Sequence, residues 1–155
     1  MHIHSEKDGK KSSRRIVVRR SSIHGKGVFA TRHIPAGTRL IEYKGERITG
    51  EDSEFLYTET THTFLFMLDN NEVIDGSRNG NTARWINHSC EPNCEANEED
   101  GRVFIDALGD IQAGEEITID YNLYLEARYT AALKRQYACG CGTQQCRGTL
   151  LASKR

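Results

Sequence analysis

Arg84-Trp85-Ile86-Asn87-His88-Ser89-Cys90-Glu91-Pro92-Asn93-Cys94 gathers an arginine, the single tryptophan, an Asn-His pair and two of the five cysteines into one short stretch. A surface loop rarely carries that mixture. Thiol and imidazole chemistry beside a bulky apolar anchor marks a place where backbone, metal and ligand meet. On its N-terminal side, Asn79 to Ile86 reads as a short capped helix that delivers the motif. On its C-terminal side, Arg102-Val103-Phe104-Ile105-Asp106-Ala107 and Glu116-Ile117-Thr118-Ile119-Asp120-Tyr121 alternate as strands do, joined around Gly109 and Ala113-Gly114.

Further out the same short-strand grammar continues. Ile16-Val17-Val18-Arg19-Arg20 is β-branched. Gly25-Lys26-Gly27-Val28-Phe29-Ala30 is a glycine-punctuated loop running into a strand, and absence of a Cβ at such glycines permits close backbone approach. Arg39 to Ile48 carries a strand ending at Gly45, residues 51–58 read as one or two helical turns, and Thr63 to Leu68 as a buried strand. Asp69 to Glu72 is a hairpin turn before Val73-Ile74-Asp75. Leu123 to Gln136 has the composition of one helix, and Cys139 to Gly148 is a glycine- and cysteine-rich knuckle. The expected fold is therefore mainly β, with small sheets and few short helices. At 155 residues one domain is expected.

The formal net charge of −1 excludes a general polyanion binder. Lys7, Lys10, Lys11, Arg14, Arg15, Arg19 and Arg20 nevertheless oppose only Glu6 and Asp8 in the first twenty residues. Residues 1–14 read as a flexible basic tail, the one part suited to nucleic acid. The body is acidic, notably at Glu51, Asp52, Glu54, Glu59, Glu95, Glu98, Glu99 and Asp100, which suits a basic protein partner. No apolar run approaches the roughly 18 residues of a membrane span, and no signal-peptide apolar core is present. The expected location is the cytoplasm, or the nucleus for a eukaryotic chain or one delivered to a host. An odd cysteine count with three crowded near the C-terminus fits a metal site in a reducing compartment better than a disulfide framework.

Cys139-x-Cys141-x4-Cys146 supplies three thiolates, and Zn²⁺ takes four ligands in a tetrahedron. Cys90, Cys94 and His88 are all available as the fourth. Tyr121 and Tyr43 each end a strand, where a tyrosine packs its ring and offers a hydroxyl.

In this order the pieces resemble the SET-domain protein lysine methyltransferases with a cysteine-rich post-SET tail. The resemblance rests on residues 25–30, Glu42-Tyr43-Lys44-Gly45-Glu46, Arg84 to Cys90, Gly114 to Tyr121 and the final Cys-x-Cys-x4-Cys-Arg-Gly, and it covers roughly residues 16–151. It implies small sheets around a C-terminal pseudoknot, with a SET domain over 15–123, a connecting helix over 124–138 and a post-SET zinc knuckle over 139–151. It implies S-adenosylmethionine held by Lys26, Gly27, Arg84, Asn87, His88, Tyr121 and Leu150. It also implies one Zn²⁺ on Cys90, Cys139, Cys141 and Cys146, leaving Cys94 spare, and catalysis by Tyr121 with Tyr43. A substrate channel would pass Tyr43, Phe64 and Ile119. The expected reaction is in-line methyl transfer from the cofactor to a lysine ε-amine on a histone or other protein.

Two positions depart from the family pattern. Ile119 stands where Phe or Tyr is usual, which leaves room for di- or trimethylation, and Phe64 stands where a tyrosine is frequent. No cysteine-rich pre-SET segment or chromatin-reading module is present, and stand-alone SET chains also occur in bacteria, so non-histone targets come into view. The competing expectation is a catalytically inactive, zinc-stabilised protein-binding module of the same fold.

Overall fold

The computed structural model describes residues 14–49, 64–123 and 128–152. The expected helical turns at 51–58 and most of the basic tail lie outside the described residues. Among the described residues are ten short strands: β1 (Ile16–Arg20), β2 (Lys26–Ala30), β3 (Arg39–Tyr43), β4 (Glu46–Thr49), β5 (Leu65–Met67), β6 (Glu72–Asp75), β7 (Asn87–His88), β8 (Cys94–Glu99), β9 (Arg102–Ala107) and β10 (Glu116–Ile119). A 3-10 helix covers Thr82–Trp85 and one α-helix, α1, covers Ala131–Gln136. Among the described residues no helix is long and apolar enough to cross a membrane.

The strands form three small sheets, ordered β1-β2-β10-β7, β3-β9-β8 and β4-β6-β5. All pairings are antiparallel except β7 with β10, where Asn87 stands beside Thr118 and His88 beside Ile119. That parallel pair joins the Asn-His motif to the strand that ends in Tyr121. Asn93 extends the join: its Nδ2 donates to the Glu116 carbonyl at 2.8 Å and its Oδ1 accepts from Thr118 N at 2.9 Å.

Alternation explains the core. On β9, Val103, Ile105 and Ala107 turn inward while Arg102 and Asp106 face outward and pair with Glu42 and Arg39. On β10, which lies inside its sheet, Ile117, Thr118 and Ile119 are all buried. These side chains pack with Val28, Ile34, Tyr43, Ile74, Ile86, Cys94 and Ile111 into one core. A second, smaller cluster of Leu123, Tyr137 and Leu151 holds the C-terminal segment.

The strand expected to end at Gly45 is β3, ending at Tyr43, and after Lys44-Gly45 the chain continues as β4 in a different sheet. Of the expected helix 123–136, residues 124–127 lie outside the described residues; 128–130 are not helical, α1 begins at Ala131 with Thr130 capping it by accepting from Leu133 N at 3.1 Å, and Leu123 bridges Leu151 in parallel. The acidic stretch after Cys94 is strand β8, with Cys94 buried and its glutamates facing water. The expected helix at 79–86 is found as the 3-10 helix, capped by Asn81, whose Oδ1 accepts from Ala83 N and whose Nδ2 donates to the Glu42 carbonyl.

Candidate functional site

Asn87, His88 and Ser89 are consecutive polar residues only 1%, 2% and 3% exposed. Burying three polar side chains in a row costs free energy unless each is hydrogen-bonded, so their partners define a built site. Asn87 Nδ2 donates to the Lys26 carbonyl at 2.9 Å and to Glu116 Oε2 at 2.8 Å, with the His24 carbonyl 3.2 Å away. The same Glu116 carboxylate accepts from the Ser21 hydroxyl at 2.7 Å. Gly27 packs against this carboxylate so closely that a Cβ would collide with it. Packing on Glu116 therefore accounts for the second glycine of the Gly-Lys-Gly loop, while Gly25 takes a left-handed φ of 38° that favours glycine.

His88 is tied on both ring nitrogens. Nδ1 accepts from the Tyr121 backbone N–H at 2.9 Å, so the proton belongs on Nε2, which faces Cys90 Sγ at 3.4 Å. Burial lowers the imidazole pKa to about 4, with Asp120 opposing and Arg147 assisting, so the ring is neutral.

Two cavities meet at Tyr121. The first is lined by Tyr43, Leu65, Phe66, Arg84, Ile86, Ile119, Tyr121 and Leu123, a mostly apolar wall. The second is bounded by Ile23, His24, Asn87, His88, Tyr121, Cys139 and Leu150, with Ala138 and Gly140 completing its C-terminal side. Each spans about 420 Å³ of non-atom space, counting the part open to solvent. An outer groove shares Leu65, Phe66, Tyr121 and Leu123 with the first cavity. It is also lined by Met67 and Leu108, the two large hydrophobics exposed among the described residues, at 55% and 50%.

Both tyrosines have their hydroxyl protons committed to backbone. Tyr121 donates to the Ile86 carbonyl and Tyr43 to the Phe64 carbonyl, each at 2.6 Å. Burial pushes both phenols above the ordinary tyrosine range, with the Tyr43 ring adding to the effect on Tyr121 and Asp75 to that on Tyr43. Both stay neutral at physiological pH, and each oxygen keeps acceptor capacity.

The residues expected at the cofactor divide. Asn87, His88, Tyr121 and Leu150 line the second cavity, whereas Lys26 and Gly27 lie outside its lining on β2 and Arg84 lines the first cavity. Lys26 Nζ and Arg84 Cζ both lie 4.9 Å from the Trp85 ring centroid, so Trp85 is a half-buried platform for two cations as well as a core anchor. Of the residues expected in the channel, Tyr43 and Ile119 line the first cavity. Phe64 precedes β5 and turns its ring edge-on to Trp85 at 5.4 Å, so the wall position is taken by Phe66. Sequence reasoning missed Glu116, which accepts from Asn87, Ser21, which donates to Glu116, and Ile23, Ala138 and Gly140, which line the second cavity.

The sulfurs of Cys90, Cys139, Cys141 and Cys146 lie within 4.8 Å of one another, with Cys90 and Cys139 3.9 Å apart. A tetrahedral Zn–S bond of roughly 2.3 Å separates its sulfurs by roughly 3.8 Å, so the donor set fits such an ion in number, softness and spacing. Cys94 is outside this group: it is fully buried in the core, and burial pushes its thiol up to about 12.

The SET domain family model matches residues 25–122. An H3 lysine-4 specific histone-lysine N-methyltransferase of Chaetomium globosum is 38% identical over 91% of this chain and 14% of its own length. Human histone-lysine N-methyltransferase 2B is 38% identical over 89% of this chain and 5% of its own, and Drosophila melanogaster histone-lysine N-methyltransferase trithorax 38% over 83% and 4%. This chain belongs to the SET domain family. It spans no more than 14% of the length of those three relatives.

Proposed function

We propose that this chain is an S-adenosylmethionine-dependent protein-lysine N-methyltransferase acting on a histone or a similarly basic protein in the nucleus or cytoplasm. The observation that carries the reading is the position of Tyr121, one side chain forming the wall of both the mixed-polarity cavity and the apolar one. Methyltransferase activity of the relatives, whose names specify histone lysine, supports the same substrate class.

S-adenosylmethionine, when bound, supplies a methyl group on a cationic sulfonium, open to in-line attack by a lysine amine. Asn87, His88, Tyr121 and Leu150 would hold it, with Lys26, Gly27 and Arg84 assigned by family resemblance. The apolar walls formed by Leu65, Phe66, Ile86 and Ile119 would strip water from an entering lysine, which favours the neutral amine over the ammonium. Tyr121 and Tyr43 then act as acceptors, since their protons are held by backbone carbonyls. They would orient the amine rather than remove its proton as phenolates, so the gain comes from alignment. Cys90, Cys139, Cys141 and Cys146 would hold one Zn²⁺, bringing the C-terminal segment against the second cavity.

The test is transfer of a radiolabelled methyl group to core histones and to a mixed lysate, comparing the native chain with Tyr121→Phe. Label on lysine that depends on Tyr121 supports the enzyme. An equal background from both chains would leave a zinc-stabilised binding module of the same fold as the better description.

A further inference from the structure

Arg147 follows the last cysteine of the cluster, and Asp120 immediately precedes Tyr121. The Cys-Arg-Gly ending of the tail contains Arg147 but assigns it no partner. Its guanidinium nevertheless forks the Asp120 carboxylate, Nη1 to Oδ2 at 2.9 Å and Nη2 to Oδ1 at 3.2 Å. Both partners are largely withdrawn from water, their side chains 26% and 34% exposed. Burial opposes the charge on Asp120, but the Arg147 fork and the Asn122 N–H hold its carboxyl below the usual range.

These contacts close a ring. The Arg147 backbone N–H donates to Cys90 Sγ at 3.3 Å, and His88 Nε2 lies 3.4 Å from the same sulfur. His88 Nδ1 accepts from Tyr121 N, and Asp120 Oδ1 lies 3.6 Å from that Nδ1. Asp120 Oδ1 also accepts from Asn122 N at 2.8 Å, fixing a turn in which Asn122 takes a φ of 49°. The carboxylate gripped by Arg147 is thus the group that bends the chain immediately after Tyr121. Arg147 Nη2 also approaches the Leu150 carbonyl at 3.5 Å, beside the second cavity. Nε of the same guanidinium is buried with no hydrogen-bond partner among the described residues, so the fork to Asp120 sets its orientation.

We propose that Arg147 and Asp120 are positioning residues, a latch through which the cysteine-rich segment sets the orientation of Tyr121. Neither lies in the lining of the two cavities that meet at Tyr121, so the latch works through the Tyr121 backbone. This rests on the methyltransferase reading for its kinetic consequence but not for its structural one. A latch of this kind makes alignment at Tyr121 depend on closure of the C-terminal segment.

The experiment uses the metal-loaded full chain with Arg147→Met, Arg147→Lys and Asp120→Asn, reading metal content, steady-state methyl transfer and hydrogen exchange at the Tyr121 amide. Arg147→Met and Asp120→Asn should lower kcat by about tenfold, as a sub-ångström misalignment does, with KM for a lysine peptide nearly unchanged. Exchange at the Tyr121 amide should quicken by about fivefold or more as local opening becomes easier. Arg147→Lys keeps the charge without the fork and should fall between. Arg102→Met breaks a comparable fork to Glu42, at 3.0 and 2.8 Å, and should leave Tyr121 exchange unchanged. Native kcat and native Tyr121 exchange in metal-loaded Arg147→Met or Asp120→Asn would overturn the latch. If the native chain transfers no methyl group, the exchange data still decide the latch, and only the methyltransferase reading fails.

Discussion

Tyr121→Phe removes one oxygen atom and tests both what that oxygen does and what it does not do. The hydroxyl donates to the carbonyl of Ile86, a residue 3% exposed, at 2.6 Å. Losing such a bond costs about 1–2 kcal/mol, because the carbonyl is left without that donor. For a chain of this size the loss corresponds to a melting temperature lower by about 2–8 °C. The effect on rate is separate. A channel that loses one of its two oriented acceptors holds the amine less well aligned, and a loss of about a hundredfold in kcat is expected.

The pH dependence distinguishes orientation from proton removal. Burial raises the Tyr121 phenol above the ordinary range, so it stays neutral through pH 7 to 9. The ratio of native to variant rates should therefore be constant across that window. In stability the sign is also fixed. A raised phenol contributes fully below the unfolded-state value near 10 and loses its contribution as pH climbs from there toward the folded value. The melting difference between native and variant should accordingly shrink above about pH 10. Initial rates at saturating peptide and melts followed by circular dichroism make both measurements. A variant with native kcat, or a rate ratio that changes steeply between pH 7 and 9, would refute the orienting role.

The other predictions concern the metal set, the channel and the spare thiol. Chelation, or Cys139→Ser, should remove the metal and abolish S-adenosylmethionine binding by calorimetry, since Cys139 also lines the second cavity; normal binding by a metal-free chain would defeat the link. With Ile119 lining the first cavity, mass spectrometry should find di- or trimethylated lysine, and Ile119→Tyr should shift the product toward monomethyl. Only monomethyl product from the native chain at saturating cofactor would contradict this. Cys94→Ala should cost about 1–2 kcal/mol as a small core cavity while leaving metal content at the native level.

How much of this was legible in the sequence follows from what each feature needs. β9 and β10 were readable because a strand buried on one or both faces repeats apolar residues over four to six positions. Cys139, Cys141 and Cys146 were readable because ligand chemistry restricts residue type, whereas Cys90 as the fourth was implied only by the family resemblance. β7 was not readable, since two residues carry no period and their pairing with β10 is set by tertiary contact. β8 was hidden by its own solvent face, where glutamates give the composition of a loop. At the start of the expected helix over 123–136, Leu123 instead bridges Leu151, a tertiary pairing about which propensity carries no information. At the site, residue types were visible but partners were not. Phe64 and Phe66 are interchangeable in composition, and only the backbone decides which one faces the cavity.

The two hydrophobic clusters differ in a way that bears on the metal. The larger one unites all three sheets and owes nothing to the C-terminal segment. The smaller one has three buried side chains, Leu123, Tyr137 and Leu151, backed by Tyr129, Leu133 and Leu150, and α1 buries none of its own residues. A segment with so little apolar surface to bury must be ordered by other interactions. The four thiols, the Arg147 fork and the bridges of Leu151 to Leu123 and Thr149 to Ala138 are those interactions. A metal bound at this cluster would therefore couple to ordering of the segment rather than of the whole domain. Since the segment carries Cys139, Gly140 and Leu150 into the second cavity, the completeness of that cavity and the stability of the sheets are separable properties of this chain.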